Sequence, residues 1–384
     1  MSKIYLKPLL LCACVFCLIG ILPAQENLKL KFVNSVVYAG IEVGSKGVKM
    51  SLLELGKDPL SSGSFNILKD SSVNTDFISF TQPTFNATLN GMSELYSTAV
   101  TKYNIPSNRV FTVVSSGVKM QAEKEAKTNW VTNLVDSFRI KINDPLRQVA
   151  IVDPLQEARL SHLGIVPANK RFATFLIDVG SGNTKGGYFP IDDNTSEFKL
   201  FTFNWGTKSV ANATEKKLDD FDKTLATYKN QLNRTLLSIE NAELIYAVNS
   251  SGAYNLNDYI AFSGGIVWAA ATLLQPEQVD KSVVNVTYED VQKLIEQLYS
   301  DFNSLSDVEL VKKIKDPGVD KIAAAKEIKR VHSVFDQRSL MAGAGLLLKI
   351  MRQFKSVYES KGFFFVKNGQ VGWVSAYVDQ TAPK

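Results

Sequence analysis

Apolar residues alternate with short polar turns through most of the chain, and their spacing switches repeatedly between the period of a strand and that of a helix. Residues 35–40 and 48–55 are β-rich and separated by a glycine turn, which predicts a hairpin. A helix is predicted over 92–103, a buried strand over 109–114, a second helix over 121–138 and another strand over 148–152. After 168–171 the order begins again, with a strand over 172–179, a glycine turn at 180–182 and a second strand running through 189. Residues 216–240 and 288–311 read as helices, 244–248 and 259–263 as short strands, 341–358 as a last apolar helix and 371–378 as a closing strand. The charged segment 314–327 reads as a surface helix or loop. Such alternation predicts an α/β fold with mixed or mostly parallel sheets. The repeated hairpin-first order predicts two domains with a boundary near 155–170.

The amino terminus changes the picture of where the protein resides. Lys3 and Lys7 precede an uncharged apolar run over 8–22, followed by Pro23, Ala24 and Gln25. These are the three parts of a secretory signal peptide, residues 1–24, with cleavage after Ala24. Left uncleaved, the run would be the chain's one route to a membrane, because it approaches the roughly 20 residues that a spanning helix needs. Cys12, Cys14 and Cys17 all lie in this run, so the three cysteines of the chain leave with it and no disulfide is expected. Sequons such as Asn86 and Asn233 then read as chance matches, and the expected compartment is the periplasm or cell envelope of a bacterium. Removing Lys3 and Lys7 takes the formal charge from +5 to +3, too weak a bias for nucleic acid. With 45% hydrophobic and 21% charged residues the composition is that of an ordinary globular protein.

Two segments carry candidate chemistry. The first, AGIEVGSKGVKMSLLEL, contains Glu42, Gly44, Ser45, Lys46 and Gly47, and the second, FLIDVGSGNTKGGYF, contains Asp178, Gly180, Ser181, Gly182, Asn183 and Thr184. In each, an acid stands two residues before the first glycine of a small-residue turn. Backbone amides in such a turn can converge on an anion, and missing side chains let the backbone approach closely. Gly264 and Gly265 open an apolar helix whose amino terminus could face a nucleotide or anion, or could serve close packing of helix on strand. His162 and His332 are too few and too far apart for a zinc site and read as structural.

The paired hairpins resemble the two phosphate loops of the actin-like ATPase superfold. Between them, RVFTVVSSGVKMQAEKE resembles the strand-and-turn segment after the first helix of the exopolyphosphatase and guanosine pentaphosphate phosphohydrolase family. DPLQEARLSHLGIV is similar to that family's glutamate segment, and WGTKSV, AFSGGIVWAAATLL and DQRSLMAGAGLLLKIM continue the series in order. The resemblance covers almost the whole chain after residue 24. It implies two actin-like (ribonuclease H-like) domains, 25–160 and 161–384, with mixed sheets flanked by helices and an interdomain cleft. It also implies that Glu157 is the catalytic base for an attacking water. The loops Gly44 to Gly47 and Gly180 to Thr184, with Lys119, would grip phosphates; Glu42 and Asp178 would hold Mg2+ or another divalent cation through water; and Gly264 and Gly265 would lie on the nucleotide side. The implied substrate is polyphosphate or a nucleoside polyphosphate, and a homodimer is a possible assembly.

Five positions depart from the family's pattern. Glu42 stands where the family has Asp, Asn183-Thr184-Lys185 where it has Ser-Thr-Glu, Lys119 where it has Arg, and Gln156 where Glu is common. The changes share a direction: less negative charge around a metal, and more positive charge around an anion through Lys46, Lys119 and Lys185. Two outcomes stay open: anhydride hydrolysis with fewer metal ions, or a catalytically degenerate envelope protein that binds a phosphorylated ligand or a protein partner.

Overall fold

The computed structural model describes residues 28–45, 47–56, 65–253, 257–355, 361–367, 369 and 372–381. The expected signal segment and Lys46 lie outside the described residues. Five strands form the first sheet: β1 (Val36–Val43), β2 (Gly47–Leu55), β3 (Phe65–Asn74), β4 (Val110–Val114) and β5 (Val149–Ile151), in the order β3-β2-β1-β4-β5. The second contains β6 (Thr174–Val179), β7 (Thr184–Tyr188), β8 (Lys199–Phe203), β9 (Tyr259–Ser263), β10 (Val283–Asn285) and β11 (Gly362–Val366), in the order β10-β11-β9-β6-β7-β8.

The two sheets repeat one plan. β1 runs antiparallel to β2 and parallel to β4, and β6 runs antiparallel to β7 and parallel to β9. The order β8-β7-β6-β9-β11 therefore matches β3-β2-β1-β4-β5, with β10 added antiparallel at the edge. These are two α/β units of one topology, with mixed sheets flanked by helices, as the repeated hairpin-first order predicts.

Helices cover both faces of each sheet, which is why β1 and β6 read as nearly unbroken apolar runs. In β1, Ala39, Ile41 and Val43 enter one core with Met92 and Leu95 of α1 (Gln82–Ser97), Val118 of α2 (Ser116–Lys124) and Leu134 and Phe138 of α3 (Thr128–Lys141). In β6, Phe175, Ile177 and Val179 enter the larger second core, which includes α12 (Gln337–Phe354). Because side chains alternate along a strand, Glu42 and Asp178 project from the opposite face of their sheets.

That opposite face is covered by an exchange of helices. α4 (Pro154–Ile165) follows β5 of the first sheet yet packs on β7 and β8 of the second. α13 (Gly372–Thr381) follows β11 of the second sheet yet packs on β1 of the first, and the two helices cross each other between the sheets. Tyr38, Leu53, Val113, Leu160, Leu163, Phe189, Trp373, Val374 and Val378 share one buried cluster there. The crossing needs glycine: a Cβ on Gly164 would lie 2.0 Å from the Gly372 carbonyl oxygen, and one on Gly40 would lie 2.2 Å from Val374 Cγ1.

Several elements differ from the sequence-based expectation. Residues 244–248 are helical: α6 (Leu225–Ile239) continues through a wider π turn, Glu240–Leu244, into α7 (Ile245–Ser251). Residues 371–378, expected as a closing strand, fall in α13 from Gly372 onward. Both segments are short apolar runs, for which periodicity alone does not separate a strand from a buried helix. The helix expected over 121–138 is two helices, broken where Ala126 takes φ 54°. α1 starts at Gln82 rather than at 92, because Thr81 and Thr84 form a capping box around Pro83 in the first turn. β3 went unforeseen because its sequence, FNILKDSSVN, is mostly polar, as suits an edge strand. Helical structure within 216–240 begins only at Leu225, and 288–311 is divided between α9 (Tyr288–Ser300) and α10 (Asp307–Lys313).

Candidate active site

The hairpin register sets the first relationship. In the first sheet Glu42 pairs directly with Lys49, and in the second Asp178 pairs with Lys185. Each half thus carries an acid on its first strand facing a lysine on its second, next to the small-residue turn. Gly44 N–H donates to the Gly47 carbonyl at 2.9 Å, and Gly180 N–H donates to the Asn183 carbonyl at 3.0 Å, so both turns close in the same way.

The surroundings of the turns differ. Ser45 lies over the start of α2, where a Cβ on Gly117 would come within 3.4 Å of Ser45 Oγ. The second turn is bound to α5 (Thr207–Glu215): the Thr207 amide donates to Gly180 O at 3.0 Å, and the Lys208 and Ser209 amides donate to Ser181 O at 2.8 and 3.1 Å. Ser209 Oγ adds a bond to Gly182 O at 3.0 Å. The amino terminus of α5 is therefore spent on the turn's carbonyls. Thr184 is buried and its hydroxyl donates to Trp205 O at 2.7 Å, a bond that holds the turn to the entry of α5. Asn183 Nδ2 is buried without a hydrogen-bond partner.

Glu157 occupies the junction of the halves. Asp153 caps α4 through the Gln156 amide, which fixes the first turn on which Glu157 sits. Its side chain is buried, with Oε2 accepting from the Ser116 amide at 2.7 Å and Oε1 lying 2.7 Å from Lys185 Nζ. Ser116 opens α2 of the first half, and Lys185 comes from β7 of the second. The same ammonium is 3.9 Å from Asp178 Oδ2, while Asp178 Oδ1 accepts from Ser263 Oγ at 2.8 Å.

Electrostatics divide the three acids. Burial alone would raise the Glu157 carboxyl, but the Lys185 ammonium and the Ser116 amide outweigh it and hold the group below the usual carboxylate range. Burial raises Asp178, with Lys185 and Ser263 offsetting part of the effect. Burial also pushes half-buried Glu42 up to about 7, against the pull of Lys49. Lys185 is raised, since Glu157 and Asp178 more than reverse its burial penalty.

A divalent cation does not fit this arrangement well. Among the described residues no three His, Cys, Asp or Glu side chains come together as a metal-holding group. The space between Glu157 and Asp178 already contains an ammonium.

No protein-family model matches the sequence, and no curated protein matches it either. Solved structures do. A Ppx/GppA phosphatase of Aquifex aeolicus superposes with a TM-score of 0.56 at 15% identity, over 88% of this chain and 98% of that one. The chain has the Ppx/GppA fold. An exopolyphosphatase from Cytophaga hutchinsonii matches with a TM-score of 0.54 at 13% identity, over 90% of this chain and 98% of that one. An exopolyphosphatase-like protein matches with a TM-score of 0.58 at 14% identity, over 91% of this chain and 100% of that one.

Within this fold, Glu42, Asp178 and Glu157 act on one another electrostatically, and Glu157 joins the start of α2 to Lys185. Lys119 lies one turn along α2, its amide on the Ser115 carbonyl. Gly264 takes φ 106°, and a Cβ there would meet Val179 O at 2.2 Å, so the start of α8 (Gly265–Leu274) presses on the end of β6. A Cβ on Gly265 would meet the Phe335 ring at 3.3 Å. His162 is buried, bonded to Thr174 O at 2.9 Å and edge-on to Phe189 and Phe198. Ser116 escaped the sequence reading, having no marker beyond its place after an apolar strand; Lys185, read from the sequence as a cation near the anion, also belongs to an acid-x6-Lys pattern that recurs in both hairpins as Glu42/Lys49 and Asp178/Lys185.

Proposed function

We propose that the chain hydrolyses a terminal phosphoanhydride bond of polyphosphate or a nucleoside polyphosphate, in the bacterial envelope after loss of residues 1–24. The observation that carries this reading is the Glu157 carboxylate, kept ionised at the junction by Ser116 from one half and Lys185 from the other. The names of the solved neighbours, exopolyphosphatase and Ppx/GppA phosphatase, support the substrate class. Here the lobes 25–160 and 161–384 close on the phosphate chain, with the turns Gly44 to Gly47 and Gly180 to Thr184 on either side of it.

Water adds to the terminal phosphorus while the bridging P–O bond breaks and its electron pair leaves with the departing phosphate. Glu157 accepts a hydrogen bond from that water, aligns it, and receives its proton as charge develops. A carboxylate with a lowered pKa is a weak base, yet phosphoryl transfer through a loose transition state asks mainly for positioning and charge balance. The turn amides and Lys185 supply the balance.

Phosphate release from polyphosphate, ATP and GTP, compared between wild type and Glu157→Gln, tests the reading. Loss of the aligning group lowers turnover by about 100-fold or more. Equal background release by both proteins removes the hydrolase and leaves a phosphate-binding module. Amino-terminal sequencing of the chain recovered from a bacterial envelope fraction tests export, for which Gln25 is the expected first residue.

A further inference from the structure

We propose that the Lys185 ammonium is the fixed cation of this site and holds the terminal phosphate in the place of a divalent metal ion. The inference rests on the phosphate-hydrolase reading above and specifies how that site neutralises its anion.

Lys185 is placed there by register, opposite Asp178 on β7, and its side chain is only 8% exposed. A buried ammonium needs partners, and it has them at 2.7 Å in Glu157 and 3.9 Å in Asp178. Those contacts use oxygens that a metal would require. Glu157 Oε2 is bound to the Ser116 amide and Oε1 to Lys185, while Asp178 Oδ1 is bound to Ser263 Oγ. Magnesium demands near-octahedral oxygen ligation at short distance, which a facing ammonium opposes by like charge.

The first half shows what the register does without burial. Lys49 stands opposite Glu42 just as Lys185 stands opposite Asp178, but Lys49 is exposed to solvent. Only the second-half lysine is enclosed, because α4 crosses onto β7 and brings Glu157 to it. A lysine ammonium carries three donors; Glu157 at 2.7 Å takes one, and Asp178 at 3.9 Å lies beyond hydrogen-bond reach, so donors remain for a phosphate oxygen. Ser116 is fully buried beside the same carboxylate, which its amide engages at 2.7 Å.

Isothermal titration of the protein with tripolyphosphate, in EDTA and in millimolar Mg2+, decides the matter. Wild type is expected to bind in EDTA with a Kd within about threefold of the Mg2+ value, a difference well under one tenfold step. Lys185→Met should weaken binding by about tenfold or more in both buffers. Lys185→Glu, which exchanges the cation for a further carboxylate, should bind only with Mg2+. Circular dichroism checks that each variant folds, and the wild-type comparison stands without them. Wild-type binding that EDTA abolishes overturns this proposal and leaves the hydrolase reading in place. No binding in either buffer overturns both.

Discussion

Replacing Lys185 by methionine removes one member of a buried ion pair while keeping an unbranched apolar stem. Glu157 would then stay buried with only Ser116 to donate to it, beside the acids Asp178 and Glu42. Breaking such a pair from one side costs about 3–5 kcal/mol, because the uncompensated charge remains. The pH dependence should change sign as well. In the wild type the Glu157 pKa lies below its ordinary 4.5, so its contribution is present above that pH and is lost as pH falls through the lowered value. Without Lys185 only the Ser116 hydrogen bonding opposes burial and the folded pKa rises above 4.5; the loss then grows as pH rises through the new value. Glu157→Gln combined with Lys185→Met should recover most of the loss, since an uncharged pair of similar volume often equals a buried ion pair. Urea unfolding followed by the fluorescence of the four tryptophans, at about pH 5 and about pH 8, measures the wild type and both variants. A single variant within about 1 kcal/mol of wild type at both pH values would refute the electrostatic account of this pair.

Three further expectations concern the frame around the site. Gly164→Ala places a Cβ 2.0 Å from the Gly372 carbonyl oxygen, so α13 must shift; a loss of about 1–3 kcal/mol and faster proteolysis near 372–381 are expected by thermal melting and limited digestion. The Glu54 carboxylate accepts from the Lys31 and Phe32 amides, Ser35 Oγ and Asn66 Nδ2, and despite burial these bonds hold its pKa down to about 2. That stability, at most about 3 kcal/mol, is present above pH 4.5 and lost as pH falls toward 2, and Glu54→Gln should erase the slope in acid unfolding curves. Burial lowers His162 from 6.5 to about 4, so stability should fall, by at most about 3 kcal/mol, as pH drops through that window, and His162→Phe should remove the drop.

The repeated strand, glycine turn and strand were legible because both signals are local. A period of two and a run of small residues act over fewer than a dozen positions, and the topology built from them appears in both sheets. Glu42 and Asp178 could be picked out for the same reason, each standing on a strand two residues ahead of its turn. Elements that depend on distant packing were harder to read. The apolar runs at 244–248 and 371–378 are helical because what covers them, not their own pattern, selects the conformation. α13 lies between α4 and β1, buried on two sides, and so loses the stripe that marks a surface helix.

By itself the sequence determined two similar α/β units, each beginning with an acid-bearing hairpin, since hydrophobic period and turn chemistry are properties of neighbouring residues. Tertiary structure alone decided that one of two register-equivalent lysines is enclosed and the other exposed. The physical reason is the exchange of α4 and α13 between the sheets. It brings a carboxylate from residue 157 and an amide from residue 116 to a lysine at 185, groups far apart along the chain. Burial then makes their charges interact far more strongly than they would in water.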